Sequence, residues 1–292
     1  MDRSVDLELL RAFCRHGIPP LPLAAIRRAL DLAGDEHINN DVLTEQIESD
    51  PRLRFGFVAG AHLPMFRGSR PIKTVRQGVE KLGRRKTVSL FWLLALSDFL
   101  QSWKKPDDRA RNRLWRHSLL TGVLAQELTR AAGFDDQGDS LTAGLAHDIG
   151  HLLLAHPEPR LGIVGHEEHD RLVDHGISLA PEHDHCRLGA ALLASWGAPK
   201  ELVSCTLYHH DPETSPAGHR PLIIGVRLAD ILSEHLDLDR PTLALRLDAA
   251  PVWQQLAAME PWKQVVDLHH LAVERLPDAL LSTQHLARVL GG

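Results

Sequence analysis

The chain has 292 residues, of which 43% are hydrophobic and 24% are charged, a balance typical of a globular protein and not of a disordered one. A net charge of −5 and a pI near 6.4 exclude the strongly basic surface of a general nucleic-acid binder. Three scattered cysteines exclude a disulfide framework or a paired-cysteine zinc motif, and the N-terminus carries no apolar signal core, so we expect a cytoplasmic protein.

The sequence predicts helix after helix and no sheet, because no stretch shows the sustained two-residue alternation of a strand. Helices are predicted to open at Pro19–Pro22, at Asp50-Pro51, and at Pro71, the last one reaching Leu82-Gly83. The run Val88–Leu96 is too short to cross a bilayer, so we expect a buried helix there and no membrane partner.

The second half of the chain is predicted to begin at a charged, proline-bearing boundary, Lys104–Asp108. A polar irregular segment is expected from Pro157 to His183, and a loop from Asp211 to His219. These signals divide the chain into three predicted parts: 1–105, 106–235, and an apolar helical extension over 236–292.

Several histidines and aspartates fall on apolar helix faces, where side chains point toward the core. His117 shares a face with Leu120 and Leu124, and Asp230 shares one with Ile223 and Val226. The same pattern holds for Asp148, His185 and His209, and His147 stands next to Asp148 near a helix end. Burying an ionised carboxylate is costly unless a cation or strong donors compensate, so convergence on one or two divalent ions (Fe, Mn, Ni or Zn) is an economical explanation.

The residues alone leave another interpretation open. A single inward histidine is more often a core residue bonded to a backbone carbonyl than a metal ligand. Asp230 could pair with Arg227, and Asp148 could accept from a backbone amide. Periodicity therefore does not decide between core packing and metal binding.

The order of these motifs resembles the HD superfamily. Leu114–Ser118 and Ala143–Gly150 resemble its first histidine and its His-Asp doublet, and three later segments are similar to ligand positions of the HD-GYP branch: Asp184–Ala190, Tyr208–His210 and Leu228–Asp230. The resemblance implies a multi-helix bundle with metal ligands at His117, His147, Asp148, His185, His209, His210 and Asp230.

The N-terminal half is similar to HDOD domains, helical output modules of bacterial signalling that occur alone or behind receiver domains as in response regulators. The segments that carry this likeness are Ile18–Pro22, Ser49–Leu53, Pro71–Val75 and Lys81–Gly83. The resemblance covers about Ile18 to Glu234, and implies an all-α fold with an N-terminal helical HDOD subdomain joined to an HD-like core.

The chain departs from HD-GYP phosphodiesterases at three places and from the HDOD pattern at one. His151 stands where they carry lysine, and Asp211–Pro216 replaces their Gly-Tyr-Pro signature. Arg113 replaces a glutamate that some members have, and Ala61-His62 replaces the HDOD asparagine-serine pair. These departures put catalysis in doubt, so no catalytic residue is assigned.

We favour a regulatory module that binds other signalling proteins or a small phosphorylated ligand through an HD-type scaffold. The alternative is a metal-dependent phosphohydrolase acting on a nucleotide or cyclic dinucleotide, with His151, His183 and Arg187 as candidate phosphate contacts. A basic cluster, Lys81 and Arg84–Lys86, is interpreted as a solvated helix end, so nucleic acid is not an expected partner.

Overall fold

The computed structural model describes residues 5–14, 24–35, 37–63, 66, 71–102, 108–134, 139–154, 184–236 and 251–291. Within these ranges every regular element is an α-helix or a short 3-10 turn, so the prediction of an all-α fold is confirmed. None of the helices in this part of the chain has both the length and the apolar character needed to cross a membrane.

The α-helices follow one another in a simple order along the chain. They are α1 Leu7–Phe13, α2 Ala24–Gly34, α3 Asn40–Glu48, α4 Pro51–Ala61, α5 Val75–Ser102, α6 Asp108–Ala131, α7 Asp139–Ala146, α8 Gly150–Leu154, α9 His185–Ser195, α10 Lys200–Tyr208, α11 Arg220–His235, α12 Pro251–Ala257 and α13 Leu268–Gly291.

The predicted start of α4 is confirmed, because the Asp50 side chain accepts hydrogen bonds from the N–H groups of Arg52 and Leu53 and Pro51 is the first helical residue. The start predicted at Pro71 is wrong by a turn: α5 begins at Val75. Thr74 explains the difference, since its hydroxyl accepts from the N–H of Gln77 at 3.2 Å and caps the helix.

Gly83 breaks α5 as the sequence predicted, but helical structure resumes beyond it. Its φ of 68° lies in the left-handed region that glycine adopts without steric cost. The helix then continues to Ser102 and carries fully buried side chains such as Leu90 and Phe91.

Close helix packing builds the centre of the second half. The helix α6 packs against α7 and α11, and α9 packs against α8 and α10. A Cβ on Gly144 would lie 2.5 Å from the Cα of Gly122, and one on Gly150 would clash with the carbonyl oxygen of His185. Glycine at Gly144 and Gly150 therefore lets the α7–α8 turn approach both α6 and α9.

The N-terminal helices and the C-terminal extension both contact this centre. The helix α5 packs against α2, α3 and α4 on one side and α7 on another, and α13 packs against α4, α5 and α6. The segment predicted to be irregular, 157–183, and most of the boundary predicted at Lys104–Asp108 lie outside the described residues. The division into three parts stays a prediction.

Candidate metal centre

The fold brings histidines and aspartates from separate elements to one point. His117 lies in the middle of α6, and the pair His147-Asp148 occupies the turn between α7 and α8. His185 is the first residue of α9, and His209 follows the last residue of α10. Asp230 of α11 joins them, so these six side chains lie together in the structure, and their role as metal ligands stays a prediction.

One set of atoms, the first donor group, consists of His117 Nε2, His147 Nε2, Asp148 Oδ2 and Asp230 Oδ1. The Nε2 atom of His117 lies 3.4 Å from Asp148 Oδ2 and 3.1 Å from Asp230 Oδ1. The Nε2 atom of His147 lies 3.3 Å and 3.4 Å from the same two oxygens. The two nitrogens are 3.3 Å apart.

A second donor group uses the other oxygen of the same carboxylate. Asp148 Oδ1 lies 3.3 Å from His185 Nε2 and 3.4 Å from His209 Nε2. The two imidazole nitrogens are 3.3 Å apart. Asp148, at 1% exposure, therefore stands between two sets of histidines.

These spacings fit coordination by metal. Donors about 2.1 Å from one ion lie about 3.0 Å apart on an octahedral edge and about 3.4 Å apart on a tetrahedral edge. The separations in both groups fall between 3.1 and 3.4 Å. The cluster of buried histidine and aspartate side chains thus allows a divalent metal ion.

Hydrogen bonds on the far side of the imidazole rings orient their lone pairs. The Nδ1–H of His147 donates to the carbonyl of Gly144 at 2.7 Å, and that of His209 donates to the carbonyl of Thr206 at 3.0 Å. With the proton on Nδ1, the Nε2 lone pair of each ring points at the carboxylates and is ready for a metal.

His117 is oriented by a serine that sequence reasoning did not single out. Its Nδ1 lies 3.0 Å from the Ser233 hydroxyl oxygen, and Ser233 donates its own proton to the Asp230 carbonyl at 2.9 Å. Ser233 therefore accepts from the His117 Nδ1–H and links two members of the first donor group. The only signal for Ser233 in the sequence was its position about one helical turn after Asp230.

Arg227 was named in the sequence as a possible partner of Asp230, and it lies at the site. It is 1% exposed, and its guanidinium donates to Asp230 Oδ2 while Asp230 Oδ1 faces His117 and His147. The two interpretations of Asp230, an ion pair with Arg227 or a place in the histidine cluster, are therefore both correct, one for each oxygen.

The protonation equilibria of the two groups shift in opposite directions. Burial lowers the pKa of His117, but Asp148 and Asp230 outweigh it and raise that pKa to about 9. The same opposition raises the pKa of His147 well above 6.5. Burial raises the pKa of Asp230, but His147, Arg227 and His117 outweigh it and hold that pKa well below its usual range. In the second group, burial lowers the pKa of His209 to about 4.

The remaining predicted site residues lie around the second donor group or outside the described residues. The His151 ring stacks on the His185 ring with centroids 4.1 Å apart and is only 7% exposed, so it lies in the core beside the second donor group; a phosphate contact from His151 stays a prediction. The His210 ring lies 4.2 Å from that of His209. Arg187 is half-buried in the first turn of α9, and His183 lies outside the described residues.

Cys186 is a site neighbour that sequence reasoning missed. It is fully buried, and its Sγ lies 3.4 Å from His185 Nε2. The only sequence signal for it was its place next to His185 at a helix start.

The basic cluster near Gly83 is engaged in the fold. The Arg84 guanidinium donates to the carbonyls of Ala33 and Ile38 at 3.1 Å each, and Arg85 pairs with Asp139 at 2.7 Å. These contacts tie α5 to α2 and α7.

Comparison of the sequence with known protein families identifies the family of this chain. A family model for the HDOD domain matches residues 18–212. The chain belongs to the HDOD family. The match covers the motifs from the N-terminal helices to the end of the double-histidine segment, so the family resemblance is confirmed.

The HDOD chain has distant relatives of similar size and one that is longer. It is 25% identical over 232 residues to an uncharacterized protein of Treponema pallidum, covering 77% of this chain but only 44% of that protein. A solved HDOD domain protein of unknown function from Geobacter sulfurreducens shares 22% identity with a TM-score of 0.64, covering 97% of each chain. A Shewanella amazonensis structure described as a candidate phosphohydrolase shares 20% identity with a TM-score of 0.67, covering 98% and 100% of the two chains. These likenesses show a shared fold.

Proposed function

We propose that this HDOD protein is an output module of bacterial signalling whose HD-like core is cross-linked by one or two divalent transition-metal ions and which acts by binding a partner protein or a small ligand. The observation that carries the proposal is the position of Asp148, whose two oxygens face separate groups of histidines. Two aspartates buried to 1% and 2% exposure among histidines are costly without compensating positive charge, which metal ions supply.

The positions of the donor atoms indicate which residues would hold each ion. His117, His147, Asp148 and Asp230 would hold the first ion, and Asp148, His185 and His209 would hold the second, with His210 beside them. Imidazole together with carboxylate suits iron, manganese, nickel or zinc. Ions in these positions would join α6, the α7–α8 turn, α9, the end of α10, and α11.

The regulatory interpretation rests on the surroundings of the donor groups. His151 stands where HD-GYP phosphodiesterases carry lysine, and its ring stacks on His185 and is 7% exposed. Arg227 is committed to Asp230 and lies 3.7 Å from Glu234. These two side chains therefore serve the cluster itself, which favours a structural and signalling role for the metal.

The test begins with elemental analysis of protein purified without chelator, followed by thermal unfolding of metal-free and metal-loaded protein. We expect bound metal, and stabilisation of about 2.7 kcal/mol when free metal is about 100 times its Kd. His147→Ala should lose this stabilisation, whereas His62→Ala, which removes a histidine bonded to the Val58 carbonyl on α4, should keep it. Protein that binds no metal and gains no stability would contradict the proposal.

A metal-dependent phosphohydrolase is the second candidate, because a carboxylate shared by two donor groups suits a two-metal site and the Shewanella amazonensis structure is described as a candidate phosphohydrolase. Divalent ions there would supply Lewis-acid activation of water and of a phosphoryl group. The assay is turnover of a cyclic dinucleotide with manganese or, under anaerobic conditions, ferrous iron. Turnover that is lost in His147→Ala and kept in His62→Ala would establish the enzyme and displace the regulatory proposal.

A further inference from the structure

The second donor group carries less negative charge than the first. Asp148 gives one oxygen to each group, whereas Asp230 faces His117 and His147 only. Apart from Asp148, the second group consists of imidazole nitrogens, which are neutral as ligands. A divalent ion there would keep most of its charge uncompensated unless another anionic ligand were within reach.

A buried sulfur atom lies at the edge of this group. Cys186 Sγ is 3.4 Å from His185 Nε2 and 4.0 Å from His209 Nδ1, and Cys186 is 0% exposed. One ligand atom from each of His185, Cys186, His209 and His210 lies within 4.8 Å of the others. A nitrogen and a sulfur bound to the same ion lie about 3.1 to 3.6 Å apart, depending on the bond angle. The sulfur is therefore at coordinating distance from its neighbour.

The local backbone places this sulfur at the positive end of a helix. Cys186 is the second residue of α9, an 11-residue helix whose N-cap, Asp184, accepts a hydrogen bond from the Arg187 N–H at 3.2 Å. The first turn of a helix carries a partial positive charge that stabilises an anion, including a thiolate. A Cys186 sulfur bound to an ion would supply the kind of charge that the second donor group lacks.

We propose that Cys186 binds the second ion as a thiolate and makes this position selective for thiophilic metals, zinc or cobalt, over manganese. The inference rests on the proposed function, because it needs a metal ion at the second donor group. When the ion binds, the Cys186 thiol loses its proton to solvent and the sulfur donates an electron pair to the metal. Thiolate prefers softer ions, whereas carboxylate and water suit manganese, so the two donor groups would differ in their preferred metal.

Cobalt(II) provides a direct test on the full chain. Metal-free protein is titrated with Co²⁺ while absorbance is recorded, and thiolate coordination gives a sulfur-to-cobalt charge-transfer band in the near ultraviolet. We expect the band in wild-type protein and its loss in Cys186→Ala, with affinity for one Co²⁺ reduced at least ~100-fold, the upper end of the loss caused by removing a supporting contact. Cys205→Ala is the matched control, because Cys205 is also 0% exposed; it should keep the band.

A competition experiment tests the selectivity. Wild-type protein should retain zinc against excess manganese at one position, and Cys186→Ala should reduce the ratio of the two affinities while Cys205→Ala keeps it. Zinc selectivity unchanged in Cys186→Ala would overturn the inference.

The outcomes separate this inference from the proposed function. Wild-type protein that binds Co²⁺ without a charge-transfer band would overturn the role of Cys186 and leave the metal centre intact. Protein that binds no Co²⁺, Zn²⁺ or Mn²⁺ would overturn both. If Cys186→Ala does not fold, the band is assigned by elimination among the three cysteines: its persistence in Cys14→Ser and Cys205→Ala supports Cys186, and its loss in either variant overturns the inference.

Discussion

The two donor groups are built from the same residue types around one carboxylate, yet their electrostatics are opposite. In the first group burial opposes protonation of His117, but the charges of Asp148 and Asp230 prevail and raise its pKa to about 9. In the second group burial prevails and lowers the pKa of His209 to about 4. Two carboxylate oxygens face His117 and one faces His209, and the neighbouring His210 and His147 add to the effect of burial in lowering the pKa of His209. Metal-free protein therefore carries protons on His117 and His147 near neutral pH, whereas His209 is a neutral imidazole.

The largest effect should come from removing what the two groups share. In Asp148→Asn the first group loses one of its two anionic oxygens and the second group loses its carboxylate oxygen, so we expect affinity for each of two ions to fall at least ~100-fold. Asp230→Asn is the matched comparison, because Asp230 faces only the first group and should weaken only one ion. Elemental analysis and metal titration measure both. An Asp148→Asn protein that kept one ion at wild-type affinity would contradict the proposal that Asp148 serves both donor groups.

Arg227 should matter in metal-free protein more than in loaded protein. Arg227→Met leaves the buried Asp230 without its guanidinium partner, and breaking a buried pair in this way costs about 3–5 kcal/mol. A divalent ion in the first group would offset part of this cost, so the loss should be smaller with metal bound. Urea unfolding with and without metal measures both values.

A surface pair serves as the control for Arg227. Arg76 and Asp41 are paired with side chains 56% and 51% exposed, so solvent screens the pair and Arg76→Met should change stability far less than Arg227→Met, with or without metal. Equal losses for Arg227→Met in the two metal states would mean that the metal does not share the Asp230 charge.

Helical periodicity made much of this centre predictable. A repeat of 3.6 residues fixes which side chains share a face, so His117 and Asp230 could be assigned to the core from their apolar neighbours. The family motif then supplied the order in which the helices contribute donors. Periodicity could not show which oxygen of Asp148 meets which histidine, because that depends on how α6, α9 and α11 pack.

Two local features could not be predicted from the sequence, and the reasons are physical. Successive residues on a helix diverge by about 100°, so the pattern gave no reason to place Cys186 beside the ring tip of His185. Pro71 was predicted to start a helix, but proline is merely tolerated in the first turn and does not bond a free N–H group. The Thr74 hydroxyl accepts a hydrogen bond from the N–H of Gln77, and this contact sets the start of the helix. In both cases a side-chain contact outweighed a regular pattern.

The opposite pKa shifts predict a stability maximum for metal-free protein. His117 titrates near 9 in the folded chain and near its ordinary value of 6.5 when unfolded, so its contribution is complete below pH 6.5 and is lost as the pH rises toward 9. His209 titrates near 4 when folded, so its contribution is lost as the pH falls from 6.5 toward 4. Unfolding by urea across this range should therefore show the greatest stability near pH 6.5.

Bound metal should abolish the loss of stability that metal-free protein shows between pH 6.5 and 9. Bound ions replace the protons of the first group, and fewer protons compete as the pH rises, so loaded protein should keep its stability from pH 6.5 to 9. Metal-free His117→Asn should also show a shallower decline over this interval. A metal-free wild-type profile that rises steadily from pH 6.5 to 9 would contradict the raised pKa of His117 and the contrast between the two groups.

The smallest expected effect separates the two groups without touching a donor atom. Ser233→Ala removes the oxygen that accepts the His117 Nδ1–H at 3.0 Å, so the ring loses the contact that fixes its tautomer and orientation. Affinity for the first ion should fall about 10-fold, the lower end of the range for such supporting contacts. The second ion should be unaffected, because His209 is oriented independently by the Thr206 carbonyl. Ser195→Ala, which removes a hydroxyl bonded to the Leu192 carbonyl within α9, is the control. An equal loss of affinity for both ions in Ser233→Ala would mean that the two donor groups are coupled. It would contradict the contrast drawn between them.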